Sequence, residues 1–321
     1  MSADGIRPDH PNAAQLAAKA ARPRVRRDVV SFVRRGNRLT RRLEEVWDRR
    51  AHDFVLDLPQ GDRDTVPAPG VTLDLGELYG RRAPLIVEIG SGLGENVVAA
   101  TLAHPERDHL ACEVYHPGIG VALERLEKAV ARRETGAMDD ADERDDVDEP
   151  PTAAADRAAL DLPRNLRFLP MDARAALGQL LPPASISEVW IFFPDPWHKS
   201  KHHKRRLVGP ALLDVLAPLM VEGGMLRLAT DWAHYAGHMR EVLDADPRWT
   251  NLHPDGPRPT GDTTDAIPPT MPHEGWSPRF DGRVLTSFES KAHRAGRLIW
   301  DLTYQLTDPG AAPHPTDGGL A

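Results

Sequence analysis

Short apolar runs alternate with longer amphipathic segments along most of this chain, and the alternation predicts its secondary structure. Apolar runs bounded by polar residues or glycine are typical of buried strands, whereas apolar positions three or four residues apart are typical of helices. Because strands and helices alternate, we expect an α/β fold with a mostly parallel, doubly wound sheet and an antiparallel edge strand at 297–306. The other predicted strands are 85–89, 109–113, 166–169, 188–193, 225–229 and a short one at 249–252, and the predicted helices are 95–103, 119–132, 173–181, 210–219 and 233–245.

The length and composition of the chain fit one domain with appendages. With 321 residues, 40% of them hydrophobic, the chain can bury one good-sized core. We expect a disordered leader at 1–24, a single domain at 25–307 and a disordered tail at 308–321. Within the domain, 25–60 is a basic N-terminal segment and 133–162 is an acidic, mobile insertion. With neither a membrane-length apolar run nor a signal peptide, we expect a soluble, cytoplasmic protein.

Charge is strongly segregated along the chain, so the overall net charge of −8 is a poor guide to its partners. Residues 134–149 contain nine acids and one arginine, and they account for the whole of that net charge. Residues 22–50 instead contain eleven arginines against four acids. Cys112 is the single cysteine, which excludes an internal disulfide and a cysteine-rich zinc site, and we expect no metal. A polyanionic partner is compatible with this composition.

A glycine-rich segment at 90–94 lies between the first predicted strand and the helix after it. Small residues at such a turn let a nucleotide-type cofactor approach the backbone, and Glu113, about 20 residues later, is placed to accept hydrogen bonds from ribose hydroxyls. Glu95 stands where a dinucleotide fingerprint has its third glycine, and a carboxylate there disfavours a pyrophosphate. Glu88, at the end of an apolar strand, would suit a positively charged group, although capping of local backbone amides is the alternative. A cationic cofactor therefore fits this loop better than a dinucleotide, which is not excluded.

Acidic residues follow three further strands at their carboxyl ends, where open α/β sheets bind ligands. Asp172 follows the third strand and could accept a hydrogen bond from an adenine amino group, with a helix N-cap as the alternative. Asp195 follows the fourth strand, and Asp231 follows the fifth, where it could also cap a helix. Together with Glu113, these acids predict an acidic arc along one edge of the sheet.

The loop after the fourth strand combines a carboxylate with a dense run of cations. Pro194 and Pro196 restrict the backbone on both sides of Asp195. Residues 198–206 then contain five lysines or arginines and three histidines, enough to contact several phosphates, although a solvated charge run is the alternative. Trp197 could stack on a base or pack in the interior. Chemistry and affinity for a nucleic acid therefore coincide in this loop.

Several segments of the chain match one family in sequence and in order. They are 31–40, 88–92, 113–118, 193–206, 229–232, 286–289 and 293–296. On these motifs the chain resembles the bacterial tRNA (guanine-N7-)-methyltransferases of the TrmB type over roughly residues 30–306. The proline-flanked aspartate with its basic tail is highly specific to that family. The long acidic insertion and the N-terminal extension depart from it, and they bear on regulation and on the RNA footprint more than on chemistry.

The resemblance implies a Rossmann-like, S-adenosylmethionine-dependent methyltransferase fold and methyl transfer to N7 of a guanine in the variable loop of tRNA. It implies S-adenosylmethionine as cofactor and tRNA as partner, and it leaves the oligomeric state open. The residues implied to contact the methyl donor are Glu88, Gly90, Gly92, Glu113, Asp172 and Asp195, with Asp195 also the active-site residue. Those implied to hold the substrate are Lys199, Asp231, Thr286, Ser287, Phe288 and Glu289, and those implied to face RNA are Lys201, His202, His203, Lys204, Arg205 and Arg206. The alternatives are a methyltransferase for another RNA or a protein, a non-catalytic tRNA-binding protein and a dinucleotide-dependent oxidoreductase.

Overall fold

The computed structural model describes residues 36, 38–135, 157, 159–261, 263 and 267–311. The predicted leader at 1–24 lies outside these residues, and so do most of the predicted insertion and all but four residues of the predicted tail. The basic N-terminal segment is described from residue 36 onward, except for residue 37. The predicted division of the chain into a leader, a domain and a tail therefore stays a prediction.

In the described part of the chain, seven strands form one sheet in the order β3-β2-β1-β4-β5-β7-β6. The strands are β1 (Leu85–Ile89), β2 (Asp108–Cys112), β3 (Leu166–Leu169), β4 (Ile186–Phe192), β5 (Met220–Thr230), β6 (Trp249–Asn251) and β7 (Trp300–Leu306). The strands β1 to β5 pair in parallel, and β7 pairs antiparallel with both β5 and β6. The predicted α/β fold with its mostly parallel sheet is confirmed. The strand predicted at 297–306 is antiparallel as expected, but the short β6 covers its outer side, so it lies one place in from the edge.

Eight α-helices and one 3₁₀ helix (Ser200–Arg205) have bounds within the described residues. The α-helices are α1 (Arg41–Phe54), α2 (Leu75–Tyr79), α3 (Glu95–Ala103), α4 (His116–Thr135), α5 (Ala173–Leu180), α6 (Pro210–Leu219), α7 (Ala233–Asp244) and α8 (Ser287–Arg294). The five predicted helices are confirmed to within about three residues at each end, and α1, α2 and α8 are additional to the predicted set. None of these helices is long and apolar enough to cross a membrane.

Alternate side chains of the strands pack on opposite faces of the sheet. Val87 and Leu110 belong to the larger core cluster, together with residues of α5, α6 and α7. Ala111 and Phe168 belong to the cluster on the other face, with residues of α3 and α4. Because helices cover both faces, β1 is buried along its whole length, as is usual for a central parallel strand. The carboxyl ends of β1 to β4 are thereby held next to one another, which is where the acids of the sequence lie.

The helix α1 docks on α4 through charge as well as apolar contacts. Arg49 Nη2 and Arg50 Nε lie 2.9 Å and 2.7 Å from the carboxylate oxygens of Glu127, whose side chain is fully buried. Arg42 on α1 pairs with Glu124 on α4 at 3.2 Å. A buried carboxylate is costly without such partners. These arginines of the basic N-terminal segment are therefore engaged in ion pairs within the fold.

Candidate active site

A cavity of about 340 Å³ opens at the carboxyl ends of β1 to β4. Its walls come from the glycine-rich loop after β1, the residues after β2 and β3, the loop after β4 and the beginning of α8. The structure brings Glu88, Glu113, Asp172 and Asp195 together in these walls. A larger cavity of about 670 Å³ lies near the amino ends of the strands and is lined by a different set of residues. The acid-lined cavity is therefore the candidate active site.

The glycine-rich loop is tied to the end of β2 by the carboxylate of Glu113. The Gly92 amide donates to Glu113 Oε2 at 2.8 Å, and the Tyr115 amide donates to Oε1, also at 2.8 Å. Gly94 has a φ of 72°, and a Cβ at this position would lie 2.3 Å from the Cβ of Ala122 on α4. Glycine is therefore required at position 94 both by the backbone and by the packing. The loop is held against α4 while its other side borders the cavity.

Glu88 is the most buried acid of this cavity. It is 5% exposed, and its Oε2 has no hydrogen-bond partner among the described residues. The Nδ2 of Asn96, near the start of α3, is likewise buried and without a partner in that part of the chain. Burial raises the pKa of Glu88 to about 8; the Asn96 side chain opposes this shift, and the carboxylates of Glu113 and Glu95 add to it. Because an unpartnered buried carboxylate is costly, a positively charged ligand group would be stabilised here.

Two acids of the predicted arc have partners within the protein. Asp172 caps α5 by accepting a hydrogen bond from the Arg174 amide at 3.1 Å, as the capping alternative predicts, and it also lines the cavity. Asp231 is not the cap of α7, because Trp232 occupies that position. Its Oδ2 instead pairs with Arg297 Nη1 at 2.7 Å. Asp231 is therefore held beside the segment that follows α8.

The loop that carries Asp195 has an unusual backbone. Phe193 and Trp197, on either side of it, have φ values of 52° and 48°, in the left-handed region that residues other than glycine rarely adopt. The Phe193 amide donates to the carbonyl of Ala229 on β5 at 2.8 Å, which fixes the start of the loop. Strained backbone of this kind persists where the surroundings fix it, and it is concentrated at active sites. The backbone therefore favours a functional role for Asp195.

The basic tail after Asp195 partly serves to hold this loop in place. Arg206 is 4% exposed, its Nε donates to the carbonyl of Pro196 at 3.0 Å, and its guanidinium lies 4.8 Å from the ring centroid of Tyr235. Arg205 stacks on Trp197, with 3.9 Å between the guanidinium carbon and the ring centroid. The expectation that Arg206 faces RNA needs correction, because its burial makes it a support of the Asp195 loop.

The other cations of this segment lie on the 3₁₀ helix or just before it. Lys199, Lys201 and Lys204 are exposed, and within the described ranges none of the three forms an ion pair. For His202 and His203, burial and then the neighbouring cations lower the pKa, so both rings are neutral at neutral pH. The positive charge of this surface therefore comes from its lysines and arginine.

The start of α8 forms another wall of the cavity. Thr286 caps this helix by accepting a hydrogen bond from the Glu289 amide at 3.2 Å. The Ser287 amide donates to both carboxylate oxygens of Glu95 at 3.0 Å, and its hydroxyl donates to Glu95 Oε2 at 3.2 Å. Phe288 also lines the cavity and is 45% exposed. Phe288 thus keeps its side chain open to a ligand, whereas Thr286 and Ser287 fix the helix.

Glu289 lies in an ion cluster beneath α8. Its fully buried carboxylate accepts hydrogen bonds from Arg279 at 2.8 Å and 3.0 Å and from Arg283 at 3.2 Å and 3.3 Å. Arg283, also fully buried, pairs in turn with Asp301 on β7. Although burial would raise the pKa of Glu289, the hydrogen bonds from the two arginines lower it overall. The geometry therefore favours a role for Glu289 in fixing α8 over the contact with substrate that the resemblance implies.

Several residues that line this cavity were not singled out from the sequence as ligand-binding, and three of them carry a charge or an amide. Glu95, Asn96 and Lys291 all line it, and Lys291 Nζ lies 5.6 Å from the ring centroid of Phe288. Glu95 and Asn96 line the cavity because α3 begins directly after the glycine-rich loop, and Lys291 lines it because α8 packs beside that loop. A signal for that helix exists in the sequence, since a threonine followed three residues later by a glutamate, as at 286–289, is typical of a capping box.

Comparison with known proteins identifies the family of this chain. The family model Methyltransf_4, described as "Putative methyltransferase", matches residues 82–302. A tRNA (guanine-N(7)-)-methyltransferase of Paenarthrobacter aurescens is 39% identical over 305 residues, covering 86% of this chain and 91% of the relative. One of Cutibacterium acnes is 39% identical over 285 residues, covering 89% and 86%. Among solved structures, the 16S rRNA methyltransferase KamB aligns with a TM-score of 0.40 at 14% identity, covering 79% of this chain and 99% of that one. The family match and the two relatives confirm what the motifs predicted, and the chain belongs to the tRNA (guanine-N(7)-)-methyltransferase family.

Proposed function

We propose that this protein transfers a methyl group from S-adenosylmethionine to N7 of a guanine in the variable loop of tRNA. The observation that carries the proposal is the buried, unpartnered carboxylate oxygen of Glu88 in an acid-walled cavity that also contains Asp195. The relatives that are 39% identical are named as tRNA (guanine-N(7)-)-methyltransferases, which supports the proposal. Because the substrate is tRNA, we place the protein in the cytoplasm.

The residues of the cavity fit S-adenosylmethionine. When bound, this donor supplies an electrophilic methyl carbon on a positively charged sulfonium. The Glu88 carboxylate would hold the donor's ammonium group, which offsets the cost of burying its own charge. Glu113 keeps lone pairs for ribose hydroxyls while its two oxygens hold the Gly92 and Tyr115 amides. Asp172 would accept from the adenine amino group while it caps α5.

Methylation of guanine N7 depends on orientation more than on proton transfer. N7 has a lone pair and no proton, so no residue has to act as a base to create the nucleophile. Asp195 would accept hydrogen bonds from N1–H and the exocyclic amine of guanine, and Lys199 would donate to O6, a pattern that adenine does not present. Because the purine gains positive charge during transfer, the Asp195 carboxylate would also stabilise that charge. The backbone at Phe193 and Trp197 fixes this carboxylate in advance, which lowers the cost of orientation.

The exposed basic residues at 201–205 would contact the tRNA backbone. Lys201 and Lys204 would neutralise phosphates, and Arg205 would do so from its position on Trp197. His202 and His203 would act as neutral hydrogen-bonding groups, because their pKa values are lowered. Arg206 is left out of this surface because it is buried.

The proposal is tested by incubating tRNA with the protein and labelled methyl donor and digesting the product to nucleosides. We expect 7-methylguanosine from wild type, and we expect Asp195→Ala to lose at least about a hundredfold in rate while binding tRNA nearly as well. Glu222→Ala is the matched control, because Glu222 is exposed near the amino end of β5. Absence of 7-methylguanosine with folded wild type would refute the function, and wild-type rates for Asp195→Ala would refute the role of Asp195. Calorimetry with S-adenosylmethionine and with NAD distinguishes the methyltransferase from an oxidoreductase.

A further inference from the structure

We propose that the α8 face, which we define as Leu285, Phe288, Lys291 and Arg294, is a second tRNA-binding surface, separate from the basic residues at 199–205. The proposal rests on the proposed function, because it concerns the RNA strand that carries the target guanine. On this view the strand is held at two places. The 3₁₀ helix with its lysines is one, and the α8 face is the other.

Exposed apolar surface at the edge of the cavity is the first observation. Leu285 is 63% exposed and Phe288 is 45% exposed, and they are two of the three large hydrophobic side chains left exposed in the described part of the chain. Phe288 also lines the cavity, so the apolar surface continues from inside the site to the outside. An exposed aromatic ring beside a nucleotide site is suited to stacking on an unpaired base.

The charge of this face is the second observation. Lys291 and Arg294 are exposed, and no ion pair joins either of them to another residue in the described ranges. The acid of the same helix, Glu289, is 0% exposed and turned inward. Arg49 and Arg50 on α1 contrast with this, since both are paired with the Glu127 carboxylate. The outer side of α8 therefore presents positive charge without a compensating carboxylate, as a surface for phosphates would.

The rigid attachment of α8 is the third observation. Glu95 accepts hydrogen bonds from the Ser287 amide and hydroxyl, and Asn96 Oδ1 accepts one from the Val284 amide at 3.3 Å. Both acceptors stand at the start of α3, directly after the glycine-rich loop. Glu289 fixes the other side of the helix to two arginines. The α8 face is therefore ordered before RNA arrives, so binding does not have to supply the cost of ordering it.

The arrangement fits one kind of occupant, a nucleotide next to the target guanine in an unpaired stretch of tRNA. Phe288, Lys291 and Arg294 follow one another at steps of three on the helix, so each side chain neighbours the previous one. A base on the Phe288 ring would place its phosphates near the two cations. Lys291, 5.6 Å from the ring centroid, already adjoins that position.

The test compares Lys291→Ala/Arg294→Ala with the control Arg82→Ala/Arg164→Ala, whose exposed arginines precede β1 and β3 at the opposite end of the sheet. We expect the α8 variant to bind tRNA about tenfold more weakly and the slope of log affinity against log salt to fall in magnitude by about 1.5, as for two lost phosphate contacts. Affinity for S-adenosylmethionine alone should fall less than affinity for tRNA, because Arg294 lies outside the lining of the cavity. The control should change none of these quantities.

A third variant, Phe288→Leu, separates stacking from charge. It should raise the KM for tRNA at least about fivefold, through loss of base stacking, while leaving the salt slope unchanged. Wild-type tRNA affinity and salt slope in the α8 variant would overturn the proposal, and so would an equal loss in the control. If wild type makes 7-methylguanosine and these losses are absent, only the α8 proposal fails. If wild type makes none, the proposed function itself fails.

Discussion

The buried carboxylate of Glu88 makes a prediction about stability as well as binding. Glu88 is 5% exposed and one of its oxygens has no partner in the described residues, so its charge is poorly tolerated in the ligand-free protein. Burial first, and then the carboxylates of Glu113 and Glu95, raise its pKa to about 8. Glu88→Gln keeps the shape of the side chain and removes the charge. We expect this variant to be more stable than wild type at high pH.

The sign and size of the effect follow from proton linkage. The folded-state pKa of Glu88 lies above its unfolded value of about 4.5, so the folded state binds the proton more tightly. The stability due to the protonated form is fully present below about pH 4.5 and is lost as pH rises through about 8. At about 1.36 kcal/mol for each tenfold change in proton affinity, the loss is at most about 5 kcal/mol. Glutamine does not titrate, so it shows no such loss.

Urea unfolding of the ligand-free proteins measures this effect between about pH 5 and about pH 9. The free energy of unfolding of Glu88→Gln minus that of wild type should rise by several kcal/mol across the range. Glu222→Gln, the same change at an exposed site, should show no such trend. Parallel curves for wild type and Glu88→Gln would refute the assignment of a buried, unpartnered carboxylate.

The same carboxylate should couple donor binding to proton release. With a pKa of about 8, about one Glu88 in ten is ionised at pH 7, and a cationic ligand group favours that form. Calorimetry at pH 7 in buffers of different ionisation heat should therefore show release of most of one proton on binding of S-adenosylmethionine. Glu88→Gln should bind more weakly and lose this release, apart from any proton exchanged by the donor's own amine. Equal proton release in the two proteins would contradict the role of Glu88.

Three further predictions concern the elements around the cavity. Gly94→Ala should lower the free energy of unfolding in urea by more than about 3 kcal/mol, because its Cβ would lie 2.3 Å from a side chain on α4. Gly70→Ala is the control, because Gly70 has a similar φ but open space around it, and it should cost about 1 kcal/mol. Equal costs would exclude packing as the cause. Glu289→Gln should lower the free energy of unfolding by about 3 kcal/mol, because it breaks a buried ion cluster. A loss below about 1 kcal/mol would argue against that cluster. Glu95→Ala should lower kcat on tRNA about tenfold by loosening α8, while affinity for the methyl donor changes little. Glu95→Gln should recover most of the lost kcat, because its side-chain oxygen still accepts from the Ser287 amide. If kcat does not recover, the charge of Glu95 is responsible instead.

Much of the fold and the outline of the site could be predicted because local signals determine them. The strands at 85–89 and 166–169 have the predicted bounds, since short, mostly apolar runs between polar residues or glycine mark buried parallel strands. The carboxyl ends of parallel strands share one edge of a sheet, so the acids that follow them were expected to converge. Glu88, Glu113, Asp172 and Asp195 do line one cavity.

The partners of these residues could not be predicted, because they depend on distant parts of the chain. Arg206 is indistinguishable in sequence from its basic neighbours, yet contacts with Pro196 and Tyr235 bury it. Glu289 shares a motif with exposed Phe288, but the cluster that engages it reaches from Arg279 to a strand of the sheet. Such pairings arise from tertiary packing and leave no periodic trace in the sequence.

The ion cluster beneath α8 has a consequence for the working cycle of the enzyme. An isolated helix of eight residues would fray readily in water. Here Glu289 is linked through Arg283 to Asp301 on β7. Separating α8 from the sheet would therefore leave buried charges without partners. Opening of α8 should therefore cost about 3–5 kcal/mol, and its amide hydrogens should exchange with solvent more slowly than those of an isolated helix of the same length. We therefore expect this side of the cavity to keep its shape between turnovers, so that each tRNA binds a surface that is already ordered.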